Sequence, residues 1–316
     1  MRAPEFWQRR GPAALLLAPL GALYGASVAW KARHAKPYRA AARVICVGNL
    51  TAGGSGKTPV ALALGARLKA RGESVFFLTR GYGGTEPGPA RVQPDSDAAR
   101  MGDEALLLAR AAPTIVARNR AEGAAHAAAQ GANTIVMDDG HQNFTLAKNL
   151  SIVVVDGESG FGNGRMIPAG PLREPVAQGL ARADAVVIMG NGDPDLGDYK
   201  GPVLKARLVT EGDAFRGARV FAFAGIGRPA KFLASLKEAG AIVTGTQFFA
   251  DHHAYRDGEI AALKARAGDA ELVTTEKDLV RLNATDRAGI AALPVRVRFD
   301  DEAALGRLLD SGEPAH

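Results

Sequence analysis

From Arg43 onward the chain alternates short, unbroken apolar runs with stretches whose apolar residues recur at helical spacing. Runs at 44–47, 75–78, 114–117, 134–137, 152–155 and 185–189 predict strands, and residues 60–70, 103–111 and 121–130 predict helices between them. This β-α-β rhythm predicts an α/β fold around a mostly parallel sheet. Continuous rather than alternating apolar runs are what strands covered on both faces require. A polar, glycine-containing stretch at 190–200 follows the sixth run. A second βα series then begins near 219, with strands at 220–224, 241–243 and 271–274 and helices near 229–239 and 259–267. A boundary at 210–216 therefore divides a core at 43–214 from a smaller C-terminal α/β domain at 215–316, with a separate apolar helical segment at 1–42.

That first segment carries an uncharged run at 13–30, AALLLAPLGALYGASVAW, flanked by Arg9 and Arg10 before it and Lys31 and Arg33 after it. It fits a cleaved signal peptide, with basic start, apolar middle and small residues. It is marginal for a spanning helix, which needs about 20 apolar residues, and Pro19, Gly21 and Gly25 weaken that reading. It also fits a helix lying in an anionic bilayer surface with basic flanks, or a buried core helix. Charge points to the surface reading. Residues 1–43 hold eight Lys or Arg against the single acid Glu5, whereas the whole chain nets only +6. The basicity belongs to the N-terminus, not to a folded face, which argues against a nucleic-acid partner. A single cysteine, Cys46, rules out an internal disulfide and leaves no CxxC zinc pattern.

The strongest chemical signal is RVICVGNLTAGGSGKTPVALALGARL. A buried strand runs into a loop with Gly53, Gly54, Ser55 and Gly56, then Lys57, Thr58 and a helix. Glycines let backbone N–H groups approach phosphate oxygens, and the helix N-terminus adds its positive dipole end. Lys57 would neutralise β- and γ-phosphate charge, and the Thr58 hydroxyl would bind Mg²⁺. Pro59 suits a first helical turn. The G-x-x-x-x-G-K-[ST] pattern expects glycine where this chain has Thr51. A second run, ANTIVMDDGHQN, ends in Asp138 and Asp139. Acids at the carboxyl end of a parallel strand sit where such sheets bind ligands, and one of the two would hold Mg²⁺ directly or through water.

VGNLTAGGSGKTP, LTRGYGG, MGDEALLLA, NRAEGA, VMDDGHQN, GRMIPAGPLREP, FFADHHAY and LVTTEKD occur in this order. Together they resemble the tetraacyldisaccharide 4′-kinases of Gram-negative bacteria. The family tolerates a residue other than glycine at the position of Thr51. The resemblance implies a P-loop NTPase core joined to a smaller α/β domain, with the active site in the cleft between them. It implies transfer of the ATP γ-phosphate to the 4′-hydroxyl of a lipid-linked glucosamine disaccharide 1-phosphate. That places the protein at the cytoplasmic face of the inner membrane, reached by the N-terminal apolar helix. By the same resemblance, Asp103 is the carboxylate that activates the acceptor hydroxyl, and His252 pairs with it, His253 being the alternative. On the residues alone, Asp103 reads as a helix cap and the histidines as a surface pair. Arg173 and Glu174 match polar positions beside the family's site. Arg80 and Tyr82 match a motif near nucleotide and acceptor, and Arg120 matches a further basic position. Glu276, Lys277 and Asp278 have the least defined role.

An exported binding protein follows only if 13–30 is a signal peptide, and the phosphate loop argues against that because ATP is scarce outside the cytoplasm. Two further rivals stand beside this reading. One is a P-loop GTPase or ATPase switch, but the Asn-Lys-x-Asp guanine reader is missing, and Lys277 and Asp278 are merely adjacent. The other is a membrane-tethered nucleotide-binding regulator without catalysis.

Overall fold

The computed structural model describes residues 4–9 and 11–311. A short 3₁₀ turn, Glu5–Gln8, precedes α1 (Pro12–Leu16) and α2 (Ala18–His34). The first βα series runs β1 (Arg43–Gly48), α3 (Lys57–Ala70), β2 (Val75–Thr79), β3 (Ala90–Arg91), α4 (Ala98–Met101), α5 (Asp103–Ala109), β4 (Thr114–Val116), α6 (Arg120–Ala129), β5 (Thr134–Asp138), β6 (Leu150–Asp156), α7 (Val176–Leu180), β7 (Ala185–Met189) and β8 (Val203–Thr210). The second runs β9 (Arg219–Ala224), α8 (Pro229–Glu238), β10 (Ile242–Phe248), α9 (Glu259–Ala267), β11 (Glu271–Thr275), α10 (Glu276–Leu279), α11 (Ala284–Arg287), β12 (Ile290–Leu293), β13 (Val295–Phe299) and α12 (Glu302–Ser311).

Nine strands form one sheet in the order β13-β8-β7-β6-β1-β5-β2-β4-β3, parallel except at β13–β8 and β4–β3. Four more form a parallel sheet ordered β10-β9-β11-β12. The continuous apolar runs are explained by two-sided cover: β1, β2, β5, β6 and β7 are buried along their whole length. On one face Leu64 and Leu68 of α3 share a core with Leu305, Leu308 and Leu309 of α12. On the other, Ala124 and Ala127 of α6 pack on Cys46, Leu78 and Ile135. β1 lies between β5 and β6, so the chain leaves the sheet in opposite directions from this strand, where doubly wound sheets bind ligands.

The expected C-terminal unit at 215–316 differs in one respect. β13 and α12 return to the large sheet, where β13 pairs antiparallel with β8. The reason lies in side-chain alternation: β8 buries Leu204 and Ala206 between exposed neighbours, and β13 buries Val297 and Phe299 in the same way. Strands at this end of the sheet, β13 at the edge and β8 beside it, lack the continuous apolar runs that mark central ones.

The apolar N-terminal run is not one helix. The chain breaks at Leu17, and α2 starts with Pro19 in its first turn. Among the described residues no helix is long and apolar enough to cross a membrane, so the spanning reading is corrected. Nor is α2 a core helix. Its buried positions are Gly21 and Gly25, one turn apart, and a Cβ on either would press on Met166 at 3.0–3.2 Å. Leu16, Leu20, Leu23 and Trp30 are instead 81%, 54%, 69% and 63% exposed.

Candidate active site

The loop from β1 to α3 has the geometry that its glycines require. Gly53 and Gly56 take φ of +120° and +90°, in the left-handed half of backbone space. Asn49, fully buried, donates from Nδ2 to Thr51 O at 2.7 Å and to Ser55 Oγ at 2.9 Å, fixing both ends of the loop. Thr51 bridges Leu172, with Ala52 N–H donating to Pro171 O at 2.7 Å. A residue with a side chain therefore suits this position, where the loop leans on a neighbouring segment rather than turning freely. Among the described residues the N–H groups of Gly53, Gly54, Ser55 and Gly56 donate to no protein acceptor. They and the start of α3 form a concave cluster of donors suited to an anion.

Two adjacent acids at the end of β5 face this loop and differ sharply. Asp138 is fully buried; its Oδ2 accepts from Thr58 Oγ1 at 2.8 Å, and its Oδ1 has no partner. Burial, reinforced by the nearby Glu104 charge and only partly opposed by Lys57, pushes its carboxyl up to about 7. Asp139 has φ of +53° and lies between two cations, with Lys57 Nζ at 3.6 Å and Arg173 Nη1 at 2.7 Å. Burial would raise its carboxyl, but Lys57 and then Arg173 override that effect and bring it to about 2.

Asp138 Oδ1 and the Thr58 hydroxyl supply hard oxygen donors of the kind Mg²⁺ takes. No group of three or more His, Cys, Asp or Glu able to hold a metal occurs among the described residues. The protein thus offers part of a coordination sphere, as in sites completed by phosphate and water.

Behind the loop, Gln142 Nε2 donates to Asn49 O and to Glu174 Oε1, both at 2.8 Å. Glu174 is buried and also paired with Arg182. It braces the loop from below. Arg173 N–H donates to Leu50 O at 2.8 Å, which aims its guanidinium at Asp139. Arg120 is buried at the start of α6 with its Nε unpartnered, and burial lowers it to about 10 against the pull of Asp139. Arg80 is exposed on the loop after β2.

The third part of the site joins the two sheets. Asp103, at the start of α5, is buried yet does not merely cap its helix: Oδ1 accepts from Glu104 N–H at 2.8 Å, while Oδ2 faces the second sheet. There His252 Nδ1 lies 3.0 Å from Oδ2, Arg281 Nε donates to it at 2.8 Å, and Lys277 Nζ stands 3.9 Å away. Burial would raise the Asp103 carboxyl; the His252 hydrogen bond and the Lys277 and Arg281 charges hold it well below the usual carboxylate range. His252 has φ of +58° and meets the edge of the exposed Tyr82 ring at 5.6 Å. His253 turns the other way, stacked on Phe249 and bonded to Glu259 at 2.8 Å. Among the described residues, Asp139 and His252 are the two non-glycines at positive φ. Such backbone costs roughly 1–3 kcal/mol and persists where the surroundings over-determine it.

Sequence reasoning missed Arg281, Asn49, Gln142 and Glu104. An arginine three residues after Asp278 carries no pattern of its own, and Asn49 and Gln142 act only through pairings that the fold creates.

A phosphate-binding loop on a doubly wound sheet, with a Lys–Thr pair opposite a buried aspartate, defines the P-loop nucleotide-binding proteins, kinases, ATPases and GTPases alike. Residues 13–312 match the family model for LpxK, tetraacyldisaccharide-1-P 4′-kinase. The chain is 54% identical over 319 residues to a tetraacyldisaccharide 4′-kinase of Paramagnetospirillum magneticum, covering 98% of both chains. It is 52% identical to one of Methylobacterium radiotolerans, covering 97% of both. The crystal structure of LpxK from Aquifex aeolicus in complex with ATP superposes with a TM-score of 0.80 at 26% identity, over 95% of this chain and 99% of that one. The chain belongs to the tetraacyldisaccharide 4′-kinase family.

Proposed function

We propose that this protein transfers the γ-phosphate of ATP to the 4′-hydroxyl of a tetraacyldisaccharide 1-phosphate, in a cleft between its two sheets, while resting on an anionic membrane surface. Family membership supports the reaction, and the ATP named in the related crystal structure supports the donor. The observation that carries the assignment of roles is the Asp103–His252 contact of 3.0 Å, made between elements of the two sheets beside the phosphate loop.

The free N–H groups at 53–56 and the start of α3 receive the phosphate chain. Lys57 and Arg173, now shared on Asp139, can turn to the oxygens of the moving phosphoryl group. Mg²⁺ fits Thr58 and Asp138, where it would neutralise phosphate charge; Asp139 instead restrains the two cations. Asp103 orients the acceptor hydroxyl and accepts its hydrogen bond. His252 holds the carboxylate from the other side, and its Nε2 lies 3.4 Å from the Lys277 ammonium, which donates to it. That fixes the tautomer with the proton on Nδ1, donated to Asp103. Tyr82, Arg80 and Arg120 border the same space, and Glu174 supports the loop.

The membrane reading rests on the exposed leucines and Trp30 of α1 and α2 beside Lys31 and Arg33, the pattern of a helix lying in a bilayer surface. A groove of about 320 Å³, lined by Trp30, Ala35, Gln142 and Phe144, runs from this surface to the loop after β5.

The test uses labelled ATP and purified tetraacyldisaccharide 1-phosphate, with a bisphosphorylated product as readout. Asp103→Ala and His252→Ala should each lower kcat roughly 10²–10⁴-fold, and together little more than the worse single change, because groups acting as a unit are not additive. His253→Ala should cost far less. Multiplicative losses, or a silent His252→Ala, would refute the pairing.

A further inference from the structure

Arg281 is the most enclosed of the basic side chains facing Asp103, only 6% exposed against 25% for Lys277 and 31% for His252. It has no place in the roles given above. All three nitrogens of its guanidinium donate. Nη1 donates to Asp278 Oδ1 and to Gly225 O, each at 2.8 Å, while Nε and Nη2 both donate to Asp103 Oδ2. Asp278 is itself fully buried and anchored. Its Oδ1 accepts from Gly225 N–H at 3.0 Å and Tyr255 OH at 2.9 Å, and its Oδ2 accepts from Thr275 Oγ1 at 2.7 Å. Arg281 is therefore held in place by the second sheet and points its remaining donors at a carboxylate of the first.

We propose that Arg281 is a positioning residue for the phosphoryl transfer: braced by Asp278 and Gly225, it keeps the Asp103 carboxylate ionised and turned toward His252. This rests on the reading of Asp103 as the group that meets the acceptor hydroxyl. Pairing with Asp278 occupies Nη1 alone; Nε and Nη2 go to Asp103, across the junction. A rigid planar fork spans acceptors on both sides at once, Asp278 and Gly225 on one and Asp103 on the other, where a lysine ammonium is a compact point charge. The charged groups facing Asp103 are His252, Lys277 and Arg281 from the second sheet and Glu104 from its own helix. Removing the Arg281 charge leaves Lys277, itself shared with Glu104 at 3.2 Å, as the remaining fixed cation. The Asp103 carboxyl then rises, and the acid limb of the kcat profile, which requires Asp103 ionised, moves to higher pH.

The experiment compares Arg281→Gln, Arg281→Lys and Asp103→Asn in the full-length protein, using kcat, KM for ATP and the acid limb. Arg281→Gln should lower kcat at least about tenfold, leave KM for ATP within about twofold, and shift the acid limb upward. Arg281→Lys keeps the charge and so the limb, but loses several-fold in kcat for want of the fork. Equal behaviour of the Gln and Lys variants overturns the proposal. Should Arg281→Gln fail to fold, because Asp278 is left buried without its cation, Arg281→Lys carries the test. It should cost several-fold in the native background and nothing further in Asp103→Asn; equal factors in both backgrounds overturn the proposal. Near-normal turnover of Asp103→Asn alone would instead refute the role of Asp103 itself, a separable outcome.

Discussion

Replacing Asp138 by asparagine should stabilise the nucleotide-free protein at alkaline pH while removing turnover. The carboxyl is fully buried with one oxygen unpartnered, and burial, with the Glu104 charge, pushes it up to about 7. In the unfolded chain it titrates near ~3.9. Three units at about 1.4 kcal/mol each set a ceiling of about 4 kcal/mol on the cost of keeping this group folded and ionised. Asparagine still accepts from Thr58 but buries an NH₂ without a partner, at roughly 1–3 kcal/mol. The net gain at pH 8 is thus about 2 kcal/mol. The sign follows from linkage. Because the folded pKa lies above the unfolded one, the native protein holds the proton more tightly, and stability falls as pH rises from about 4 to 7. Below that window the penalty vanishes, and above it the penalty is constant. The difference between variant and native protein should therefore grow by about 3 kcal/mol between pH 5 and pH 8. Urea unfolding at the two pH values measures it. The variant should also lose the extra stability that Mg²⁺ and ATP together confer on the native protein. Parallel pH curves would refute the buried-carboxylate account, and retained Mg²⁺-dependent stabilisation would refute the cation role.

Lys57→Ala should lower turnover at least about 10²-fold, the scale of one strong transition-state contact, with the fold intact by circular dichroism; near-native turnover would remove the phosphate-loop assignment. Leu20→Glu combined with Leu23→Glu should reduce sedimentation with anionic phospholipid vesicles without changing nucleotide binding, since both side chains point away from the protein; undiminished sedimentation would remove the membrane-facing role of α2.

How much of this was legible beforehand depended on whether the signal was local. The central strands β1, β2, β5 and β7 were readable because two-sided burial demands unbroken apolar runs. β8 and β13 were not, because alternating strands that pair across some 85 intervening residues leave only a weak local pattern. The phosphate loop was readable because each of its residues answers a local backbone need. Asp103 and His252 were not readable from physics alone: a capping acid and a surface histidine look the same until folding brings them together, and only the resemblance singled them out. The structure distinguishes His252 from its neighbour by backbone geometry, since the left-handed turn at His252 sends successive rings to opposite sides.

The distribution of charge explains why the site needs two sheets. The large sheet by itself carries Asp103, Glu104, Asp138 and Asp139, and the Asp138 carboxyl is raised by burial first and then by the charges of Glu104 and Asp139. Lys57 and Arg173 answer Asp139, whereas among the described residues Asp103 finds its cations, Lys277 and Arg281, on the second sheet. Docking that sheet therefore does more than bury surface. It keeps one acid ionised and leaves another, Asp138, short of a cation that a metal–nucleotide complex can supply. On the roles proposed above, an enzyme that transfers a highly charged group would gain from this asymmetry, because the carboxylate assigned to the acceptor is set before the donor arrives and the one assigned to the metal would be completed by it.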